Sequence, residues 1–220
     1  HGKPVITANK ALISANGESI FRLVEKNGGN LYYEASVACG IQIIKSLREG
    51  LSGNRIQRLY GILNGTCNYI LTQMEAEGRG FEDVLADAQQ MGYAEAEPSL
   101  DADGFDAQHK TGILASLAHG FWVKPPQIFV EGIRHITPLD IQFARRLGYC
   151  IKLLGIVKKL GGKVQIAVHP ALVPETHVLA NVSDVFNAIL VRGDIVGDTL
   201  HYGQGAGADA TASAVLSDLA

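Results

Sequence analysis

Cysteine is scarce: Cys39, Cys67 and Cys150 are odd in number and far apart in a chain of 220 residues. Neither a disulfide framework nor a zinc knuckle fits that usage, and a reducing, cytoplasmic setting is the expectation. Long apolar runs are missing as well, none approaching the ~20 residues that span a bilayer. His1-Gly2-Lys3-Pro4 does not read as a secretory signal. There is no excess of one charge: Lys and Arg total 19 against 22 Asp and Glu, a net charge of −3. That balance creates no broad field for nucleic acid or an anionic membrane. Seven histidines are scattered, with no pair at metal-binding spacing. What is present is a globular composition, 47% hydrophobic and 19% charged, enough to bury a core in one large domain or a domain and a half. The 25 glycines exceed the usual ~7% and punctuate the chain.

The periodicities predict an α+β fold with hairpins, framed at both ends by β–α fragments. Residues 4–7 read as a short strand, 8–10 as a turn, and 11–14 as a helix that Asn16-Gly17 breaks before 18–26 resumes it. A second strand is expected over 31–35 and a helix over 41–48. A third strand over 56–63 ends at the Asn64-Gly65 turn, with Thr66 placed to cap a helix running to Gly78. Phe81, Val84, Leu85, Ala88 and Met91 keep helical spacing up to Gly92. Another helix covers 106–118. Gly161-Gly162 and Gly193-Asp194 each sit between apolar runs as hairpin signals. Gly203, Gly205 and Gly207 lead into a last helix near Ala210.

Chemistry concentrates between Glu82 and Asp106, which hold eight of the 22 acidic residues and no Lys or Arg. A solvated acidic loop is one reading; an EF-hand fits poorly because the terminal Glu is not at the required distance. In the following helix Asp106, Lys110, Ile113, Leu114 and Leu117 step by three or four residues and share a face. An Asp and a Lys therefore lie on an apolar stripe. A buried ammonium is costly unless paired, and such a lysine suits proton transfer to an alkoxide or carbonyl oxygen. A helix-end ion pair whose lysine snorkels to water remains the alternative. His109, beside it, points to another face and reads as exposed. The Gly-rich tail could hold a phosphate at a helix N-terminus, or could simply be a tight strand-to-helix turn. Carbonyls of the turn Glu34-Ala35-Ser36-Val37-Ala38-Cys39-Gly40-Ile41 could ligate a hard cation, or the segment could be an ordinary turn. The cysteines read as small buried hydrophobes. Asn64-Gly65-Thr66 and Asn181-Val182-Ser183 match the glycosylation pattern, which has no meaning for a cytoplasmic chain.

Several stretches together resemble homoserine dehydrogenases. They are Thr7-Ala8-Asn9-Lys10, Tyr33-Glu34-Ala35-Ser36-Val37, the block from Gly61 to Leu71 around Asn64-Gly65-Thr66-Cys67-Asn68-Tyr69, Gly92-Tyr93-Ala94-Glu95-Ala96-Glu97-Pro98, Asp101 to Lys110, and Gly203 to Asp218. The resemblance implies reversible hydride transfer between NAD or NADP and L-aspartate 4-semialdehyde, giving L-homoserine for threonine and methionine synthesis. It makes Lys110 the proton donor and acceptor, and Asp106, Glu95 and Asp101 substrate contacts, Asp101 towards the amino group. Lys10, Gly92, Glu95 and Gly207 take cofactor positions. Glu34, Val37, Cys39 and Ile41 take those that hold a monovalent cation, sodium, mostly through backbone carbonyls. A homodimer or higher homo-oligomer is implied, built through the sheet of the strand-rich region.

The implied organisation has three parts: residues 1–30 and 203–220 as pieces of a Rossmann-type nucleotide-binding domain, and 31–202 as the substrate-binding and dimerisation domain. The Gly-rich pyrophosphate loop of such a domain is not found in these 220 residues. The expectation is a chain that opens inside the cofactor domain. A non-catalytic oligomerisation module that kept the fold, or another semialdehyde-type dehydrogenase, stays open at this stage.

Overall fold

A computed structural model of the chain describes residues 2–220. Strands β1 (Val5–Ile6) and β2 (Leu31–Tyr32) form a parallel pair joined by helix α1 (Lys10–Lys26). Asn9 caps α1 by accepting the Leu12 N–H at 3.0 Å. The expected break at Asn16-Gly17 does not occur. The helix is continuous, and Gly17 serves packing: a Cβ there would overlap the Trp122 ring. The strand expected over 31–35 is cut to two residues, and the helix expected over 41–48 is interrupted. Short 3-10 turns at Glu34–Ser36 and Cys39–Ile41 precede α2 (Ile43–Lys45), which widens into a π-helical turn at Ser46–Gly50. Left-handed backbone at Ala38 (φ 45°) and Gln42 (φ 59°) causes the interruption, a conformation that side chains other than Gly rarely adopt.

Strand β3 (Ile56–Ile62) leads into α3 (Gly65–Glu77), then α4 (Phe81–Gln90), α5 (Ser99–Ala102) and α6 (Phe105–His119). The cap of α3 is Asn64, not Thr66: its Oδ1 accepts the Cys67 N–H at 2.8 Å. Strand β4 (Phe129–Val130), helix α7 (Pro138–Arg146), strands β5 (Tyr149–Leu160), β6 (Lys163–Pro174), β7 (Phe186–Gly193) and β8 (Gly197–Gln204), and helix α8 (Ala208–Leu219) complete the chain. Both expected hairpins form, β5–β6 and β7–β8.

The large sheet has the order β4-β6-β5-β3-β7-β8, antiparallel except where β4 runs parallel to β6. This is a mixed, mostly antiparallel α+β fold. Helices α3, α6 and α7 cover one face. Fully buried residues such as Ile70, Leu114 and Ile189 fill that layer, each contributing about 1.5–3 kcal/mol by leaving water. Gly155 of β5 lets α6 lie close, because a Cβ there would strike Thr111. The opposite face carries a smaller apolar cluster, including Ile62, Leu154, Ile156 and Leu190, beneath the 3-10 turn Val178–Asn181. Helix α8 folds back onto the turns at 34–36 and 39–41, bringing the two ends of the described chain together. Among the described residues no helix is long and apolar enough to cross a membrane.

Candidate active site

The end of β3 and the starts of α3 and α6 meet α1 and the β8–α8 turn around a cleft of about 590 Å³. Three strand-to-helix or loop-to-helix junctions converge here because each carries its own local signal. Asn64 caps α3, Asn9 caps α1, and Gly104 (φ +87°) turns the chain into α6. Gly104 also lies against Val130 and Val168, which seats the first turn of α6 on the sheet.

Asp106, in that first turn, is buried, and Lys110 one turn later is buried with it. Lys110 Nζ lies 2.8 Å from Asp106 Oδ2 and donates to the Leu63 carbonyl at 2.7 Å. Lys10, from the start of α1, reaches Asp106 Oδ1 at 3.1 Å. Asn64 Nδ2 donates to Asp106 Oδ2 at 2.9 Å and to Asp101 Oδ1 at 2.7 Å. Burial alone would raise the Asp106 pKa. The two ammonium groups and the Lys110 and Asn64 hydrogen bonds outweigh it and hold the carboxyl at about 2. Asp101 shifts the other way. Burial raises its pKa and the Asp106 charge adds to that, against the Asn64 hydrogen bond. Lys110 thus sits inside the acidic cluster instead of snorkelling. An ammonium has three protons, and two of the three are committed to Asp106 and Leu63.

The acidic run is only partly a site. Asp103 pairs with Arg134, which also donates to Ser99 Oγ at 2.9 Å, and Glu97 accepts the Ser99 hydroxyl and its N–H. Those contacts pin the loop. Glu95 is exposed and is not among the residues lining the cleft, whereas Lys10, Gly92, Asp101 and Gly207 are. Asn64, Thr66 and Asn187 line the cleft although the sequence reading did not name them as site residues. Thr66 Oγ donates to the Tyr93 carbonyl at 2.8 Å, and Asn187 Nδ2 to the Ile62 carbonyl at 2.8 Å. An Asn at a strand end before an apolar helix is the signal that marks Asn64. Asn187 lies within a strand and has none. His109 is half-buried, not exposed, because α1 packs on α6; its Nδ1 is enclosed without a partner, and burial lowers its pKa. Cys67 is fully buried with its thiol against the Asp101 carbonyl, and burial pushes its pKa far up, so it is no nucleophile.

The turn at 34–41 is a separate feature. Both Glu34 carboxylate oxygens cap backbone, accepting from Ile44 N–H at 2.9 Å and Lys45 N–H at 2.7 Å, while its own N–H donates to Asp218 Oδ2 at 2.8 Å. Cys39 Sγ lies 3.5 Å from the Gly205 carbonyl and 3.4 Å from Thr211 Oγ. Among the described residues no group of three or more His, Cys, Asp or Glu side chains is arranged to hold a metal ion.

A family model described as homoserine dehydrogenase matches residues 43–220. The chain belongs to the homoserine dehydrogenase family. It is 50% identical over 219 residues to a homoserine dehydrogenase of Pseudomonas aeruginosa, covering 100% of this chain and 50% of that protein. It is 46% identical to the one from Bacillus subtilis, covering 99% and 50%. The crystal structure of a homoserine dehydrogenase from Thiobacillus denitrificans superimposes with a TM-score of 0.98 at 50% identity, covering 99% of this chain and 51% of that one. A hyperthermophilic archaeal homoserine dehydrogenase in complex with NADPH matches at 0.85 and 31% identity, covering 98% and 62%. The chain therefore spans about half the length of the curated relatives it matches. Apart from Val185 and Asn187, the residues lining the cleft fall in the segments that carried the resemblance.

Proposed function

We propose that this chain supplies the substrate site and proton-transfer lysine of an NAD(P)-dependent oxidoreductase that interconverts L-aspartate 4-semialdehyde and L-homoserine. The observation that carries the reading is the buried Lys110–Asp106 pair opening on the cleft. The nicotinamide cofactor supplies the hydride. As hydride reaches the aldehyde carbon, negative charge grows on oxygen, and the third Nζ proton of Lys110 is the one left to neutralise it. In the reverse direction the same amine takes the hydroxyl proton. Leu63 and Asp106 fix the amine during this exchange.

Asp106 already balances Lys10 and Lys110, whereas no lysine or arginine among the described residues pairs with Asp101. Asp101 is thus the carboxylate left to receive the substrate's ammonium, with Glu95 at the rim. Lys10, Gly92 and Gly207, which line the cleft, would border the cofactor. Their fit to it rests on Gly207 (φ +110°), which opens α8 without a side-chain cap and so offers helix N–H groups beside the cleft. The carbonyls at Glu34, Val37, Cys39 and Ile41 would hold sodium, whose role is to brace this turn against α8. A second copy of the chain is proposed to cover the open sheet face, where Leu200 and Tyr202 are exposed beside the smaller apolar cluster.

The deciding experiment is turnover by the full polypeptide that carries these residues, with NADPH and aspartate semialdehyde. Lys110→Ala should lower kcat by about 10²–10⁴-fold while L-homoserine still raises the Tm. Retention of near-normal turnover in that variant would overturn the reading.

A further inference from the structure

Asn64 does two separable jobs with one side chain. Its Oδ1 caps α3 through the Cys67 N–H at 2.8 Å, which fixes the amide orientation and leaves both Nδ2 protons facing the carboxylates. Those protons go to Asp101 at 2.7 Å and Asp106 at 2.9 Å. Asn64 is itself buried, so neither hydrogen bond is readily exchanged for water. Two carboxylates sharing one site repel, and one of them ordinarily takes up a proton or swings away. Here Asp106 is neutralised by two lysines, and a neutral donor bridges it to Asp101, which has none. The bridge holds Asp101 against the cleft without spending a positive charge on it.

We propose that Asn64 is a positioning residue for amine recognition: it clamps Asp101 beside Asp106 without a lysine or arginine of its own, so that the substrate's ammonium is its first ion-pair partner. This rests on the substrate reading above. A lysine or arginine in place of Asn64 would satisfy both carboxylates and compete with the substrate. An aliphatic residue would leave them free to repel. The amide avoids both outcomes, and its second function as a cap prevents it from turning its carbonyl toward the acids.

Asn64→Ser separates the two roles, because serine caps a helix nearly as well as asparagine but is too short to bridge the carboxylates. In the holoenzyme, KM for L-homoserine should rise about tenfold, with kcat changed less than about threefold. The acid limb of kcat/KM should move to higher pH, since Asp101 loses the hydrogen bond that favours its charged form. Carbon-13 NMR of the aspartate carboxyls in the ligand-free protein should show the same upward move for Asp101, assigned through Asp101→Asn. An unchanged limb, an unchanged Asp101 titration and a KM within about twofold of wild type would make Asn64 a cap only and overturn the proposal. The NMR arm needs no turnover. If the wild-type holoenzyme fails to oxidise homoserine, the substrate reading falls. The carboxylate clamp is then still decided by the titration, and a null titration removes it too.

Discussion

Asp106 accepts from Lys10, Lys110 and Asn64 at once, and its depressed pKa of about 2, against a usual 3.8, is a statement about stability. A carboxyl whose pKa is lowered on folding stabilises the protein above its unfolded pKa, and that contribution disappears as pH falls through the folded one. The window here runs from about 4 down to about 2, and the shift corresponds to about 2 kcal/mol. Asp101, with a raised pKa, acts in the opposite sense and loses stability as pH rises through its own range. Burial also lowers the pKa of His109, His119 and His201, so protonation opposes folding there, but that loss begins as pH falls past about 6.5. Urea unfolding of wild type and Asp106→Asn at a series of pH values separates these effects. The difference between the two proteins should be flat above pH 5 and shrink below pH 4, as protonation removes the wild-type advantage. A difference that stays constant down to pH 2.5 would mean that folding leaves the Asp106 pKa unshifted and would overturn the ion-pair account.

At the scale of elements, Gly17 gives a test in which two rules disagree. Helix propensity alone favours Gly17→Ala by about 1 kcal/mol. Packing opposes it, because α1 and Trp122 touch through the missing Cβ, and overfilling a packed contact costs about 1–3 kcal/mol. The expected result is a lower Tm, read by calorimetry; a higher one would show that the Trp122 ring moves aside freely. The same residue shows what a linear sequence conceals. Periodicity and turn residues are local, so the hairpins at Gly161-Gly162 and β7–β8, the apolar stripe of α6 and the stop at Gly78 are legible from residues alone. Gly17 looks like a breaker because its reason lies over a hundred positions away. Left-handed Ala38 and Gln42 leave no compositional trace, which is why residues 41–48 read as a plain helix. Thr137-Pro138-Leu139-Asp140 is a helix-start signal with a full capping box, but α7 buries only Ile141 and Ala144 and so lacks a long apolar period. In the site, Lys110 and Asp106 declare themselves by lying on an apolar stripe. The partners that set their geometry, Leu63 O, Lys10 and Asn64, come from other elements and are visible only once the chain is folded.

The whole molecule has a sheet dressed unequally on its two faces. Helices cover one face, whereas the other keeps an apolar cluster under a single 3-10 turn. Cross-strand partners share a face, so Leu200 opposite Leu190 and Tyr202 opposite Ala188 extend that cluster to the β8 edge. Leu200 is 41% exposed and Tyr202 53%, with Tyr202 stacked on Phe186 at 5.2 Å. On the dimer reading, a second copy dries this face across the breadth of β7 and β8. A charge placed there would then be buried without a partner, at a cost of several kcal/mol, while the monomer would tolerate it at the surface. Leu200→Glu should therefore shift the protein to monomer in size-exclusion chromatography with light scattering, with its far-ultraviolet circular dichroism unchanged. Because β8 runs directly into Gly207 and α8, beside the cleft, the monomer should also lose affinity for the cofactor before it loses its fold. A variant that stays dimeric would place the contact elsewhere, and a wild type that stays monomeric at every concentration would overturn the dimer reading.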